Sequence, residues 1–127
     1  MSQLLRTQWE GYPRYHQSRA NLLLHIIVVP LFLVGNVGLL VGLIRRSWFV
    51  AVIAVAAMLI AVALQGRGHR QEPVQPEPFS SPLNAVARIF CEQWVTFPRF
   101  VISGGWLLAL RKAPRRRSQA DAKRRSE

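Results

Sequence analysis

Residues 22–44 read LLLHIIVVPLFLVGNVGLLVGLI, and in these twenty-three positions His25 and Asn36 are the strongly polar side chains. At ~1.5 Å of rise per residue a helix over this stretch is about 34 Å long, enough to cross the ~30 Å hydrocarbon core of a bilayer. Pro30, Gly35, Gly38 and Gly42 would weaken a helix in water. In lipid the backbone has no alternative hydrogen-bond partner, so it stays helical. The three glycines then form a thin face for a neighbouring helix, with Gly38 and Gly42 at small-xxx-small spacing. Arg45, Arg46 and Ser47 interrupt the run, and residues 48–64 resume it without a charge, beginning with Trp48 where an interfacial anchor belongs. So short a connection makes the two spans antiparallel neighbours. The predicted fold is an all-α integral membrane protein: a transmembrane helical hairpin plus a third helical element.

The flanks are polar. Residues 1–21 intersperse Trp9, Tyr12 and Tyr15 with Arg6, Arg14 and Arg19, a mixture suited to the headgroup layer, and contain no compact apolar core of a secretory signal. After the second span, Pro73, Pro76, Pro78 and Pro82 forbid a regular helix and predict an extended connector. Leu83, Val86, Ala87, Phe90 and Trp94 recur at helical spacing, while Asn84, Arg88 and Glu92 share the other side. This is the pattern of an amphipathic helix with Arg88 and Glu92 paired on its wet face. Pro98 is expected to break it before the short apolar run at residues 100–110, so residues 83–110 form the amphipathic or re-entrant third element. Residues 111–127 hold eight basic residues against two acidic ones and are expected to be a disordered polybasic tail beyond a membrane-embedded domain of residues 1–110.

Charge sets the orientation. With two full spans, and both the N-terminus and the tail cytoplasmic, fifteen of the 17 basic residues lie inside, and Arg45 and Arg46 lie outside. The expected location is a bacterial inner membrane rather than the endoplasmic reticulum. The net charge of +11 follows from this bias and from a tail suited to anionic lipid. With no recognition motif present, nucleic acid is not an expected partner. Ser80, Ser81 and the single cysteine, Cys91, lie outside any nucleophile motif, and one cysteine builds neither a disulfide nor a thiolate cage. Oligomeric state is left open.

The chemistry rests on three histidines, all that the chain contains. An antiparallel hairpin carries His16 and His25, before and within the first span, to the same membrane face as His69, after the second. Neutral imidazole is the commonest protein ligand of iron, zinc and copper, and three leave room for water, oxygen or substrate on the ion. Glu72, three residues after His69, is placed to complete the set or to support it. Helical geometry sets one condition. His16 and His25 are nine apart, and at ~100° per residue a continuous helix points them to opposite sides. They converge only if the chain breaks between them, and residues 18–21, with the capping types Ser18 and Asn21, are where a helix can begin afresh. Asn21, four before His25, is placed to orient that ring. Arg14, Arg19, Arg67 and Arg70 are available to an anionic substrate. The competing readings are a non-enzymatic membrane scaffold or lipid-binding protein, which needs no metal, and haem ligation by two of the histidines.

Tyr15-His16, Asn21-x-x-x-His25 leading through Pro30 into a span, Gly68-His69 with a nearby acid, a proline-rich connector, and Glu92 followed by Phe97-Pro98 together make a pattern. It resembles the 2-hydroxy-fatty-acid dioxygenase family of small membrane proteins from about Trp9 to Trp106. The resemblance implies iron(II)-dependent cleavage between C1 and C2 of a long-chain 2-hydroxy fatty acid by dioxygen, as in α-oxidation. His16, His25 and His69 would be the catalytic metal ligands, possible support coming from Glu72. Tyr15, Asn21, Arg19, Arg70 and Glu92 would contact substrate or brace the ligands.

Overall fold

The computed structural model describes the backbone of all 127 residues and every side chain except those of residues 116–120. The chain is helical, with no strand among the described residues: α1 (Ser2–Tyr15), α2 (Arg19–Ile44), α3 (Trp48–His69), α4 (Pro82–Cys91), a π-helical turn (Glu92–Thr96), α5 (Phe97–Ile102), α6 (Gly105–Lys112) and α7 (Arg116–Ser126). Helices α2 and α3 are each long and apolar enough to span a membrane. Only 28% and 22% of their most apolar windows are buried, whereas a core helix of a soluble protein is mostly buried. Ile27, Val34, Phe49 and Val52 point outward, each at least two-thirds exposed. Such a surface is stable where lipid tails replace water.

The hairpin is closed by a Schellman turn. Ser47 donates its N–H to the Gly42 carbonyl at 2.8 Å and Arg46 to the Leu43 carbonyl at 3.2 Å. Arg46 takes the left-handed backbone conformation the motif needs, φ 54°, without being glycine. Below the turn the glycine face meets α3. A Cβ on Gly42 would lie 2.8 Å from the Ala51 nitrogen, and one on Gly35 would lie 2.7 Å from the Met58 side chain. The expected glycine seam is therefore where the backbones come closest.

At Pro98 the structure corrects the expected break. Helix α4, the π turn and α5 run on without interruption from Pro82 to Ile102, all in right-handed helical conformation at the junctions. Proline lacks an N–H and its ring crowds the carbonyl a turn back. Widening the turn so that Phe97 N–H reaches the Glu92 carbonyl, five residues earlier, accommodates both. The reversal comes later, at Gly104 (φ 81°), and α6 folds back so that the Trp106 indole donates to the Leu22 carbonyl at 2.9 Å. Tyr12, Leu22, Val29, Phe97 and Phe100 form the main core, which packs α1 and the α4–α5 helix against the first half of α2.

Candidate metal centre

The break demanded by His16 and His25 is present. Helix α1 ends at Tyr15, α2 starts at Arg19, and Ser18 is extended (φ −75°, ψ 130°). Neither Ser18 nor Asn21 makes the expected side-chain cap. The cap comes from 54 residues away, where the buried Glu72 carboxylate accepts from the Gln17 N–H at 2.8 Å and the Ser18 N–H at 2.9 Å. It also accepts from the Asn21 amide at 2.8 Å. A carboxylate at a helix N-terminus satisfies orphan donors and opposes the helix dipole. Glu72 itself sits in a turn whose carbonyls, with that of His69, are held by the Gln75 amide. Glu72 thus does not join the histidines. It fixes the bend that lets His16 fold back.

The three imidazoles meet. Their ring centroids are 4.9 Å (His16–His25), 4.8 Å (His16–His69) and 4.9 Å (His25–His69) apart, with the rings nearly perpendicular in pairs. Each has one nitrogen occupied by a backbone carbonyl. His16 Nδ1 bonds the Tyr12 oxygen at 2.9 Å, His25 Nδ1 bonds the Asn21 oxygen at 3.0 Å, and His69 bonds the Tyr15 oxygen. Because a carbonyl only accepts, these nitrogens carry the protons and leave the opposite nitrogens as bare lone pairs. His16 Nε2, His25 Nε2 and His69 Nδ1 are buried without a partner. The Asn21 amide was expected to orient His25, but its backbone oxygen does so.

Glu92, expected to brace the ligands, supplies a fourth donor. Its Oε1 is 3.6 Å from His16 Nε2 and 3.8 Å from His25 Nε2. It makes no ion pair with Arg88, because its carboxylate is directed to His16, His25 and the Tyr12 hydroxyl while the Arg88 guanidinium is bonded to the Pro78 carbonyl. One ligand atom from each of His16, His25, His69 and Glu92 lies within 4.8 Å of all the others, so the group could hold a metal ion. Two ligands of one first-row ion, each at ~2.0–2.2 Å, are at most ~4.4 Å apart, so the donors need draw in only slightly. The donor set fits an ion: a buried polar atom without a partner costs about 1–3 kcal/mol, and three converging on one point could all be satisfied by one cation. Backbone carbonyls on the far nitrogens are the usual second contact of metal-bound histidine.

Tyr12 completes the surroundings. Its ring stacks on His16 at 3.8 Å and its hydroxyl donates to Glu92 Oε1 at 3.1 Å. Burial, and then the nearby Glu92 charge, push the phenol well above its ordinary pKa, so it remains a donor. Burial alone would raise Glu92. A proton on the imidazoles, His16 foremost, would outweigh it and hold the group at about 2, and an ion in the same place would act in the same direction, so Glu92 is a carboxylate beside either positive charge. Behind the cluster Gln65 and Gln93 exchange hydrogen bonds at 3.0 and 2.6 Å, tying α3 to the π turn.

A family model described as "2-hydroxy-palmitic acid dioxygenase Mpo1-like" matches residues 2–102, which include all four donors. The chain belongs to the Mpo1-like family. No curated protein and no solved structure matches it. The Mpo1-like match ends where α5 ends, so α6 and the basic tail lie outside it.

A cavity of about 580 Å³ opens onto the cluster, walled by Tyr12, Tyr15, His16, His69, Arg88 and Glu92. Of the other residues assigned by sequence, Tyr15 lines this cavity, Asn21 lies behind it on Glu72, Arg19 binds the Leu110 carbonyl at 3.2 Å, and Arg70 is exposed at the end of α3. Tyr12 and Arg88 were not singled out for the site. Tyr12-x-x-x-His16 is a one-turn spacing that would have marked the stack; for Arg88 the sequence pattern pointed toward water.

Proposed function

We propose that this chain is a membrane-embedded iron(II) dioxygenase that cleaves C1–C2 of a long-chain 2-hydroxy fatty acid. The observation that carries this reading is the convergence of three unpartnered imidazole nitrogens and the Glu92 carboxylate at the floor of a cavity, at the end of a lipid-exposed hairpin. His16, His25, His69 and Glu92 would hold the ion. When bound, iron(II) would supply the redox chemistry with dioxygen, and the positions not taken by its four side-chain ligands would be open to oxygen donors.

The chain's own part is preorganisation. Hydrogen bonds from His16 and His25 to carbonyls one turn earlier lock both rings with Nε2 inward. Tyr12 keeps Glu92 turned toward them through its hydroxyl. His16 and His25, 2% and 0% exposed, keep bulk water from the donors on their side. Apolar wall residues such as Leu4, Phe79 and Ile89 offer the acyl chain a path from the site. The N-terminus and basic tail are placed in the cytoplasm, the tail on anionic lipid, by the excess of arginine on that side.

Iron analysis of detergent-purified protein, paired with oxygen-dependent consumption of 2-hydroxypalmitate, tests the reading. Near-stoichiometric iron and a product one carbon shorter are expected from the wild type, and neither from His25→Ala. Iron bound equally by wild type and His25→Ala would sink the metal centre. Iron bound without consumption of the acid would sink the reaction.

A further inference from the structure

Among the residues lining the large cavity, Arg88 is the only arginine or lysine. It lies one helical turn before Glu92, ~6 Å along the same helix, so both stand on one wall. One guanidinium nitrogen donates to the Pro78 carbonyl at 3.2 Å, and the group lies 4.7 Å from the centre of the Phe79 ring. Its backbone carbonyl is held by the Gln8 amide at 2.8 Å. The side chain is thus braced by the proline-rich connector, and the backbone that carries it is tied to α1. A guanidinium has five N–H donors, so bonding one carbonyl leaves others for an anion. Among the described residues Arg88 makes no ion pair.

We propose that Arg88 is the receptor for the carboxylate of the substrate. This rests on the reading of the cavity as a fatty-acid site but does not require the oxidation. A divalent ion held by three neutral imidazoles and one carboxylate retains a single positive charge. Arg88 adds a second and Glu77, exposed on the same lining, offsets one of the two, so the cavity keeps a net positive charge and favours a ligand whose anionic head can face the ion and the guanidinium. The planar fork of arginine matches a carboxylate in a way that an ammonium group does not. Leu4, Ile89 and Phe79, which share the wall, take the chain that follows the head. The sequence candidates are placed otherwise: Arg14 packs on the Tyr15 ring, Arg19 is bonded to α6, and Arg67 and Arg70 do not reach the cavity.

The test is calorimetric binding of 2-hydroxypalmitate and of its methyl ester to the full chain in detergent, with iron loaded and with iron chelated, for wild type, Arg88→Gln and Arg88→Lys. Arg88→Gln is expected to lose tenfold or more in affinity for the acid, in both metal states, while the ester stays within twofold and iron content is unchanged. Arg88→Lys is expected to lower the acid-to-ester ratio severalfold, and it carries the test if the glutamine variant fails to fold. A purely structural role would weaken acid and ester alike. Such a parallel loss, or an acid-to-ester ratio equal to that of the wild type, overturns the proposal even if iron binds and the acid is consumed. Conversely, a wild type that binds no iron but prefers acid over ester through Arg88 leaves the receptor standing and removes the dioxygenase reading.

Discussion

The two ends of the hairpin are held together by opposite means. At the turn, Gly35 and Gly42 let α2 touch the backbone and short side chains of α3 around Ala51, Ala54 and Met58, and no buried polar side chain takes part. At the other end, the same two helices enclose Asn21, His25 and Gln65, with Glu72 and Gln93 beside them, all buried. Most of these polar groups are satisfied: Glu72 by three donors, and Gln65 and Gln93 by each other. Satisfied polar groups hold helices in register. What separates the site from this scaffold is that three imidazole nitrogens without partners converge, whereas the Asn21 Oδ1, also without one, stands apart from them against Gly68. Between two apolar helices a buried polar residue is therefore better read by whether its unmet hydrogen bonds converge with others than by its presence.

The strongest way to break the contrast is at the metal end. Adding iron(II) to apoprotein at about 100 times its dissociation constant should stabilise the wild type by ~2.7 kcal/mol. The midpoint of thermal unfolding in detergent should rise accordingly, and that of His16→Ala, His25→Ala or His69→Ala should not move. At the turn end the expected effect is on stability alone. Gly42→Ala drives a Cβ against the Ala51 backbone and should cost about 1–3 kcal/mol in denaturant unfolding. The folded fraction should still bind iron as the wild type does.

Glu72→Gln sharpens the comparison, since it keeps the shape and removes the charge that caps α2. Weaker control of the bend should lower iron affinity about tenfold, as outer-shell changes do at other metal sites. Competitive chelator titration measures this, and wild-type affinity would show that Glu72 is only scaffold. The smallest change is expected from Tyr12→Phe, which keeps the stack on His16 and removes one hydrogen bond to Glu92. A loss of about 0.5–1.5 kcal/mol, or a few-fold in iron affinity by the same titration, is anticipated.

Much of this was legible in the chain. The hairpin followed from two apolar runs and a three-residue gap, and the break before α2 followed from the nine-residue spacing of His16 and His25. The observed α3 runs to His69, beyond the apolar limit at Leu64, because Gln65 finds its partner in Gln93 across the helix interface. That pairing could not be read from Gln65 alone. The Arg88–Glu92 spacing misled for a related reason: the interval is α-helical, with the Glu92 N–H on the Arg88 carbonyl, but the Tyr12 hydroxyl takes one side chain and the Pro78 carbonyl the other, and neither partner is local. Once Glu92 turns inward, Arg88 is left to Pro78, Phe79 and the cavity.

By itself, then, the sequence determined two helices long and apolar enough to span a membrane, their hairpin and the identity of the three imidazoles, because hydropathy and helical periodicity act over short range and repeat along the chain. Which carboxylate joins those imidazoles and which one caps a helix was decided by tertiary structure. Glu72 and Glu92 are chemically alike, and their tasks differ only through neighbours more than fifty residues distant: the Gln17 and Ser18 N–H groups for one, and His16, His25 and the Tyr12 hydroxyl for the other.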